Sequence, residues 1–507
     1  MRTRPEEQQS ERVRRPADST VTPEDKKTAT ASGEETAGKW TVMGIVAIGV
    51  FMATLDSSIV NISLPKISAY FHVPLSGSVE WVIIAYLIVI ASILLTLGRL
   101  TDMVGRKLLW ALGLTIFTSS SALCGAAPSL LLLIVFRALQ GIGGALIMSI
   151  SPAMITRAFP ATERGRALGL NALVVAAGTS AGPTIGGVIT QAFTWRWIFY
   201  INVPIGIIGI ILTFRLLTER MRLRGSGQRF DPIGAALLSA GTICLMLGLS
   251  FGEQWGWSSV TVIGLFAATV ACIAAFLVTE TRVAEPIVDL SLFRNRLFAA
   301  ATGSSFLSFL ALFAVTFLMP FYLEELRAFP PDQAGLLLTP VPLTISLVAP
   351  LSGFLSDRFG SQVLSSLGLA IGSVGLWFLS NLTPQASLFA IVWPLVVTGL
   401  GQGLFQSPNN SAIMGSVPRH RLGIASGFLA TVRVLGQSSS VAVAGAIFTS
   451  LGGARAGAAL SHGTSENSIP VVPLQATFTH AFHVALLTCM VIASIGVVTS
   501  LVRGRTH

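Results

Sequence analysis

Long apolar runs recur from one end of this chain to the other, and that recurrence leaves few folds open. A helix crossing a bilayer needs about 20 mostly apolar residues. Fourteen stretches of the 507-residue chain qualify: 41–62, 79–98, 108–126, 130–150, 167–190, 198–217, 233–251, 260–279, 298–321, 334–355, 362–380, 387–405, 422–449 and 480–502. Charged residues make up only 11% and hydrophobic ones 52%, whereas an ordinary soluble domain carries about a quarter charged. With no water in the hydrocarbon, each backbone polar group must be satisfied inside the protein, and helices do this segment by segment. The expectation is an all-α membrane protein with 14 transmembrane helices.

Basic residues test that count. An even number of spans returns both ends to one side, and cytoplasmic loops carry the excess of Lys and Arg. With the N-terminus placed inside, 27 of the 33 Lys and Arg fall on the tail side. Lys66, Arg196, Arg327 and Arg455 fall on the other side, and Arg137 and Arg433 lie within spans. Adding or dropping one mid-chain span would scramble this bias. Both termini are therefore expected in the cytoplasm, with the lipid bilayer against the apolar faces. The net charge of +10 is a topogenic pattern, and no nucleic-acid partner is expected.

Residues 1–40 are polar, lack the apolar core of a signal peptide and read as a disordered cytoplasmic tail. The stretch Gly33 to Trp40 mimics a phosphate-binding loop, but it has Trp40 where Ser or Thr belongs and follows no strand. Cys124, Cys244, Cys272 and Cys489 sit in apolar runs with no CxxC pair, as small buried hydrophobes do. Neither a cofactor, nor a metal, nor an enzyme constellation is expected.

The chain also repeats itself. Gly98-Arg99-Leu100-Thr101-Asp102-Met103-Val104-Gly105 follows the second span, and Gly353-Phe354-Leu355-Ser356-Asp357-Arg358-Phe359-Gly360 follows the tenth. Two six-span halves would put equivalent positions six spans apart. The surplus of two predicts a pair of helices inserted between the halves: tail 1–40, N-terminal bundle 41–217, linker with two inserted helices 218–297, and C-terminal bundle 298–507. Repeat-built halves with a site at their interface are a common transporter plan. The stretch 450–479, rich in small residues, reads as a flexible flap on the outer side.

Asp56 is the only ionisable side chain between Thr41 and Ile62. A carboxylate that deep in a span is costly to keep charged and is a functional-site candidate by default. Burial penalises its charged form, which suits it to take a proton from one face and release it at the other; a structural Asp bonded to Ser57 or Ser58 is the competing reading. Arg137 in the fourth span stays charged at any relevant pH, and Asp56 is the one acid deep enough to neutralise it. Asp102, with Gly105 permitting a sharp turn and Arg106 beside it, is placed to latch a neighbouring helix N-terminus at the inner gate. In the fifth span, Gly178, Gly182, Pro183, Gly186 and Gly187 permit close helix approach and a bend. Asn61, Gln140 and Arg433 are candidate substrate contacts, with Arg433 open to binding an anionic group, snorkelling or pairing with backbone.

These residues resemble the major facilitator superfamily, specifically its fourteen-span drug:proton antiporter branch. Gly98 to Lys107 looks like its loop 2–3 signature; Arg137, Gln140 and Gly141 match its fourth-span signature; Gly178 to Gly187 matches its antiporter signature. Leu55-Asp56 through Leu64-Pro65 and Trp195 through Pro204 resemble two further motifs of the branch. The resemblance implies a monomeric antiporter in the plasma (inner) membrane that exports small amphipathic compounds, drugs or antibiotics, against proton entry. Asp56 and Arg137 would carry the coupling, and Asp102 and Arg106 the inner latch. No Asp or Glu falls in the last six spans, a departure from relatives with late membrane-embedded carboxylates. An exporter of one metabolite (a self-made antibiotic, sugar or siderophore) and a non-transporting membrane sensor are the alternatives.

Overall fold

The computed structural model describes residues 38–73, 79, 81–217, 230–283, 290–418, 421–461 and 471–503. The expected tail, apart from its last three residues, lies outside them. Among the described residues all regular structure is helical. The helices are α1 (Lys39–Phe71), α2 (Trp81–Val104), α3 (Arg106–Ala126), α4 (Leu130–Ala158), α5 (Arg164–Ala192), α6 (Trp197–Tyr200), α7 (Asn202–Leu216), α8 (Pro232–Trp255) and α9 (Val260–Glu280). They continue with α10 (Arg296–Phe321), α11 (Pro331–Leu338), α12 (Pro340–Phe359), α13 (Ser361–Ser380), α14 (Leu388–Gly415), α15 (Leu422–Ser450), α16 (Gly453–Ser461) and α17 (Val471–Leu501).

Thirteen helical stretches among the described residues are long and apolar enough to cross a membrane, and fourteen if α15 and α16, bent by 75°, form one span. The bend falls at Gly452, whose φ of 81° is one that side chains rarely adopt. The first span, Lys39–Val60, falls where expected, and its helix runs on to Phe71, ending at a left-handed His72. One expectation needs correction: the supposed flap is partly helical, since α16 is rich in Ala, a strong helix former, and buries Ala456 in one cluster with Phe478 of α17.

Helix pairing follows the small residues. In the first half α1 packs on α5, and α4 lies between α2 and α3; in the second half α14 packs on α12 and α13, and α10 packs on α15 and α17. Two seams join the halves, α5 against α12 and α2 against α15. The helices α8 and α9 pair with each other, and α8 leans on α2 and α15. Close approach is obligatory at several crossings. A Cβ on Gly98 would lie 2.5 Å from the Gly423 carbonyl oxygen, and one on Gly143 would lie 2.5 Å from the Phe117 amide nitrogen. The repeat is visible in backbone geometry too: Gly105 and Gly360 turn the chain after α2 and α12 with φ of 106° and 85°.

These contacts predict a contrast between two glycines. Gly143→Val should destabilise the detergent-solubilised protein by about 2 kcal/mol or more, because backbone rather than a flexible side chain blocks it. Gly264→Ala on α9, where nothing lies within 4 Å of the added atom, should leave the thermal midpoint unchanged. Equal midpoints for both variants would refute the packing assigned to α3 and α4.

Candidate functional site: a buried ion pair and an inner latch

Asp56 lies inside the N-terminal helices and is fully buried. Its Oδ2 accepts a hydrogen bond from Arg137 Nη1 at 2.6 Å. Its Oδ1 accepts one from Gln140 Nε2 and one from Asn202 Nδ2, each at 2.9 Å. Three side chains from two helices, α4 and α7, thus converge on one carboxylate of α1. Arg137 and Gln140 share a face of α4 at i,i+3 spacing, and Asn202 opens α7. Arg137 donates in addition from Nε to the Val82 carbonyl at 2.8 Å and from Nη1 to Gln140 Oε1 at 2.7 Å. Its guanidinium lies over the Tyr86 ring, 4.3 Å from the centroid.

A charge pair this deep survives only if its remaining donors and acceptors are occupied, because desolvating each ion costs several kcal/mol. Here the lattice of Gln140, Asn202, Ser121 and Val82 occupies them: Asn202 Nδ2 also donates to Ser121 Oγ at 3.1 Å, and Ser121 Oγ donates to the Phe199 carbonyl at 2.9 Å. The pair and its partners thereby tie together α1, α2, α4 and α7. Of these partners, sequence reasoning singled out Arg137 and Gln140. Asn202 stood within a resembling motif without a role, and Tyr86 carried no signal.

The latch residues come together at the tail-side end of α2. Asp102 accepts from the backbone amides of Gly423 and Ile424, at 3.0 Å and 3.1 Å, and from Arg106 Nη2 at 3.2 Å. It therefore caps the first turn of α15, where unpaired amides and the helix dipole favour a negative charge. Gly98 and Gly423 bring the two helices into backbone contact beside it. On the other seam Ser407 Oγ donates to the Gly165 carbonyl at 2.9 Å.

Gly178 and Gly182 of α5 face α1, where Thr54 and Ser58 fill the space a Cβ would need, and Ser58 Oγ donates to the Gly178 carbonyl at 3.3 Å. The helix continues unbroken through Pro183 to Ala192, although the side chain of Pro183 lies outside the described residues. Thr190 donates to the Gly186 carbonyl at 2.7 Å, and Gly187 is open on its Cβ side. The side chain of Asn61 also lies outside the described residues.

Where α1, α2, α4, α5, α10, α14 and α15 meet is a narrow cleft with a cavity volume of about 50 Å³. Arg433 is on its wall; Gln140 and Asp56 are not. Sequence reasoning also missed Arg503, counted only as a topogenic charge. It is buried just past α17, where it donates to Ser304 Oγ at 2.9 Å and to Asn409 Oδ1. Burial lowers its guanidinium to about 10, so it remains charged near neutral pH.

The latch geometry makes a prediction. In a Ser426→Cys background, Asp102→Ala should raise tail-side maleimide labelling about tenfold, the equivalent of losing bonds of a charged acceptor to two amides. Asp102→Asn, which keeps one acceptor oxygen, should raise it less. Unchanged labelling in both variants would mean that other contacts hold the seam.

Known proteins place the chain. The sequence profile of the Major Facilitator Superfamily matches residues 46–240 and 233–441. Over 412 residues the chain is 37% identical to the riboflavin transporter RibZ of Clostridioides difficile, which covers 81% of this chain and 88% of RibZ. It is 34% identical over 402 residues to the multidrug resistance protein Stp of Mycobacterium tuberculosis, covering 79% of this chain and 74% of Stp. Its fold is similar to that of the proton:xylose symporter XylE, with a TM-score of 0.59 at 15% identity over 90% of this chain and 94% of the symporter. With its apolar helices and a profile match along most of its length, this multi-pass membrane protein belongs to the major facilitator superfamily of transporters.

Proposed function

We propose that this transporter is a proton-coupled antiporter that exports small amphipathic compounds across the plasma membrane by alternating access, with both termini in the cytoplasm. The observation that carries the reading is the fully buried Asp56–Arg137 pair at 2.6 Å. A proton on Asp56 leaves Arg137 buried without its counter-charge, and removing one partner of such a pair costs about 3–5 kcal/mol. That penalty is large enough to bias the N-terminal helices between two arrangements. Protonation from outside would favour release of the cargo there; deprotonation inside would favour its capture. One charge crossing the membrane supplies ~2.3 kcal/mol per 100 mV, enough for modest accumulation per proton.

In this reading the halves are the six-helix bundles at 41–217 and 298–507, with the segment 218–297 carrying the inserted pair α8 and α9. The two seams that join them, α2 with α15 and α5 with α12, pair equivalent helices of the repeat in swapped order. That arrangement suits a rocking motion about the cavity. The Asp102 cap belongs to the state with the inner side closed, and Gly178 and Gly182 hold α5 tightly on α1 so that the bundle moves as one body. The similarity to Stp supports drug export. The similarity to RibZ favours a second reading, transport of one metabolite with little breadth; competition among unrelated compounds in proteoliposomes separates the two.

The proton role is tested by flux. Asp56→Asn should abolish export driven by an imposed pH gradient in proteoliposomes while insertion and yield hold, and Asp56→Glu should retain a fraction of it. Export that survives Asp56→Asn at normal protein levels removes the proton from Asp56. Absence of flux in wild-type vesicles with any compound tested would favour a sensor.

A further inference from the structure

The cavity between the halves is mostly apolar, with walls that include Val50, Leu94, Met148 and Val175. One charged side chain stands among the described residues lining it, that of Arg433. Among the described residues Arg433 has neither a hydrogen-bond nor an ion-pair partner; its guanidinium lies over one ring, Phe309, at 5.5 Å from the centroid. The contrast with Arg137 is direct. That cation, equally deep in sequence terms, is neutralised by Asp56 and bonded to Val82 and Gln140. No acid does the same for Arg433: neither Asp nor Glu is among the described residues lining the cavity. A second observation comes from the facing wall. Asn171 of α5 lines the same cavity, and its buried Oδ1 has no hydrogen-bond partner.

A guanidinium keeps its charge at any relevant pH and offers a planar fork of donors matched to carboxylate, sulfonate or phosphate oxygens. Left in a low-dielectric cavity without a counter-ion, it is a strong site for an anion that arrives with its own apolar body. Phe309 covers one face of the fork and leaves its edge available. Asn171 adds an amide that can reorient to donate to, or accept from, the same ligand.

We propose that the cargo site of this protein selects amphipathic organic anions, with an oxyanion held by Arg433 and the apolar body lying along the α1, α2 and α4 wall. This inference rests on the transporter reading for its consequence, but binding can be measured without transport, so failure of one is distinguishable from failure of the other. The probes are fluorescein and rhodamine 123, which share a xanthene skeleton and carry opposite charge near neutral pH. Binding to the purified full-length protein in neutral detergent is followed by fluorescence anisotropy.

Wild-type protein should bind fluorescein at least about tenfold tighter than rhodamine 123, the scale of one charge-assisted bidentate contact. Arg433→Gln should erase that preference by weakening fluorescein alone, and Arg433→Lys should restore part of it. Asn171→Asp, which leaves Arg433 in place and adds a negative charge to the same cavity, should also weaken fluorescein and spare rhodamine 123. Excess benzoate should displace fluorescein from wild type. Equal affinity for the two dyes, a preference for rhodamine 123, or fluorescein binding unaffected by Arg433→Gln in protein with an unchanged thermal midpoint would each overturn the proposal.

Discussion

Everything in the N-terminal half is arranged around a guanidinium that cannot lose its proton and cannot reach water. Arg137 is 1% exposed, and its charge at that depth would expel it from the fold without compensation. Asp56 supplies the compensating charge, and Gln140, Asn202, Ser121 and the Val82 carbonyl supply the hydrogen bonds that make the pair tolerable. The consequence is a network in which the side chains of α1 and α4, the start of α2 and the start of α7 share one electrostatic balance. In such a network each unpaired polar group is costly, because the local dielectric is low. That is the property needed of an element that converts a proton into a change of packing.

The seams between the halves are built from glycine and serine, so backbones touch and few side chains interlock. The α2–α15 seam is fastened by one carboxylate on two amides, a contact that is specific in geometry and small in area. A seam of this kind is held by charge-assisted bonds and the fit of small residues, beside buried apolar side chains of α2 and α15 that share one cluster. The largest apolar cluster runs from α1–α5 across to α10, α14 and α15, and smaller clusters lie within each end of the chain.

Much of this was legible in the sequence, for physical reasons that can be named. The spans were visible because the bilayer imposes length and apolarity together, and Asp56 stood out because it is alone in its run. Its pairing with Arg137 followed by charge balance, since no other acid lies so deep. The Gly105 turn followed from the conformational freedom of glycine. What stayed hidden was whatever depends on neighbours in space. Asn202, Tyr86 and Ser121 are neutral polar residues of a kind common in spans, and nothing in their own helices marks their convergence on Asp56. Arg503 was taken for a loop cation because its position at the end of a span is where such cations belong, yet it turns inward to Ser304 and Asn409. Arg196 and Arg327 each donate to two carbonyls at a helix end or loop, Arg196 to those of Gly125 and Ala127 and Arg327 to those of Pro384 and Ala386. The helix at Gly453–Ser461 was obscured by a composition that loops and helices share.

The central claim, that the buried acid beside Arg137 takes up and gives back a proton, is open to direct observation by infrared difference spectroscopy on the purified protein. Acidification should produce a protonated-carboxyl stretch in wild type that disappears on returning the pH and is missing from the Asp56→Asn variant. A band that appears unchanged in that variant, or no reversible carboxyl band in wild type, would contradict the account.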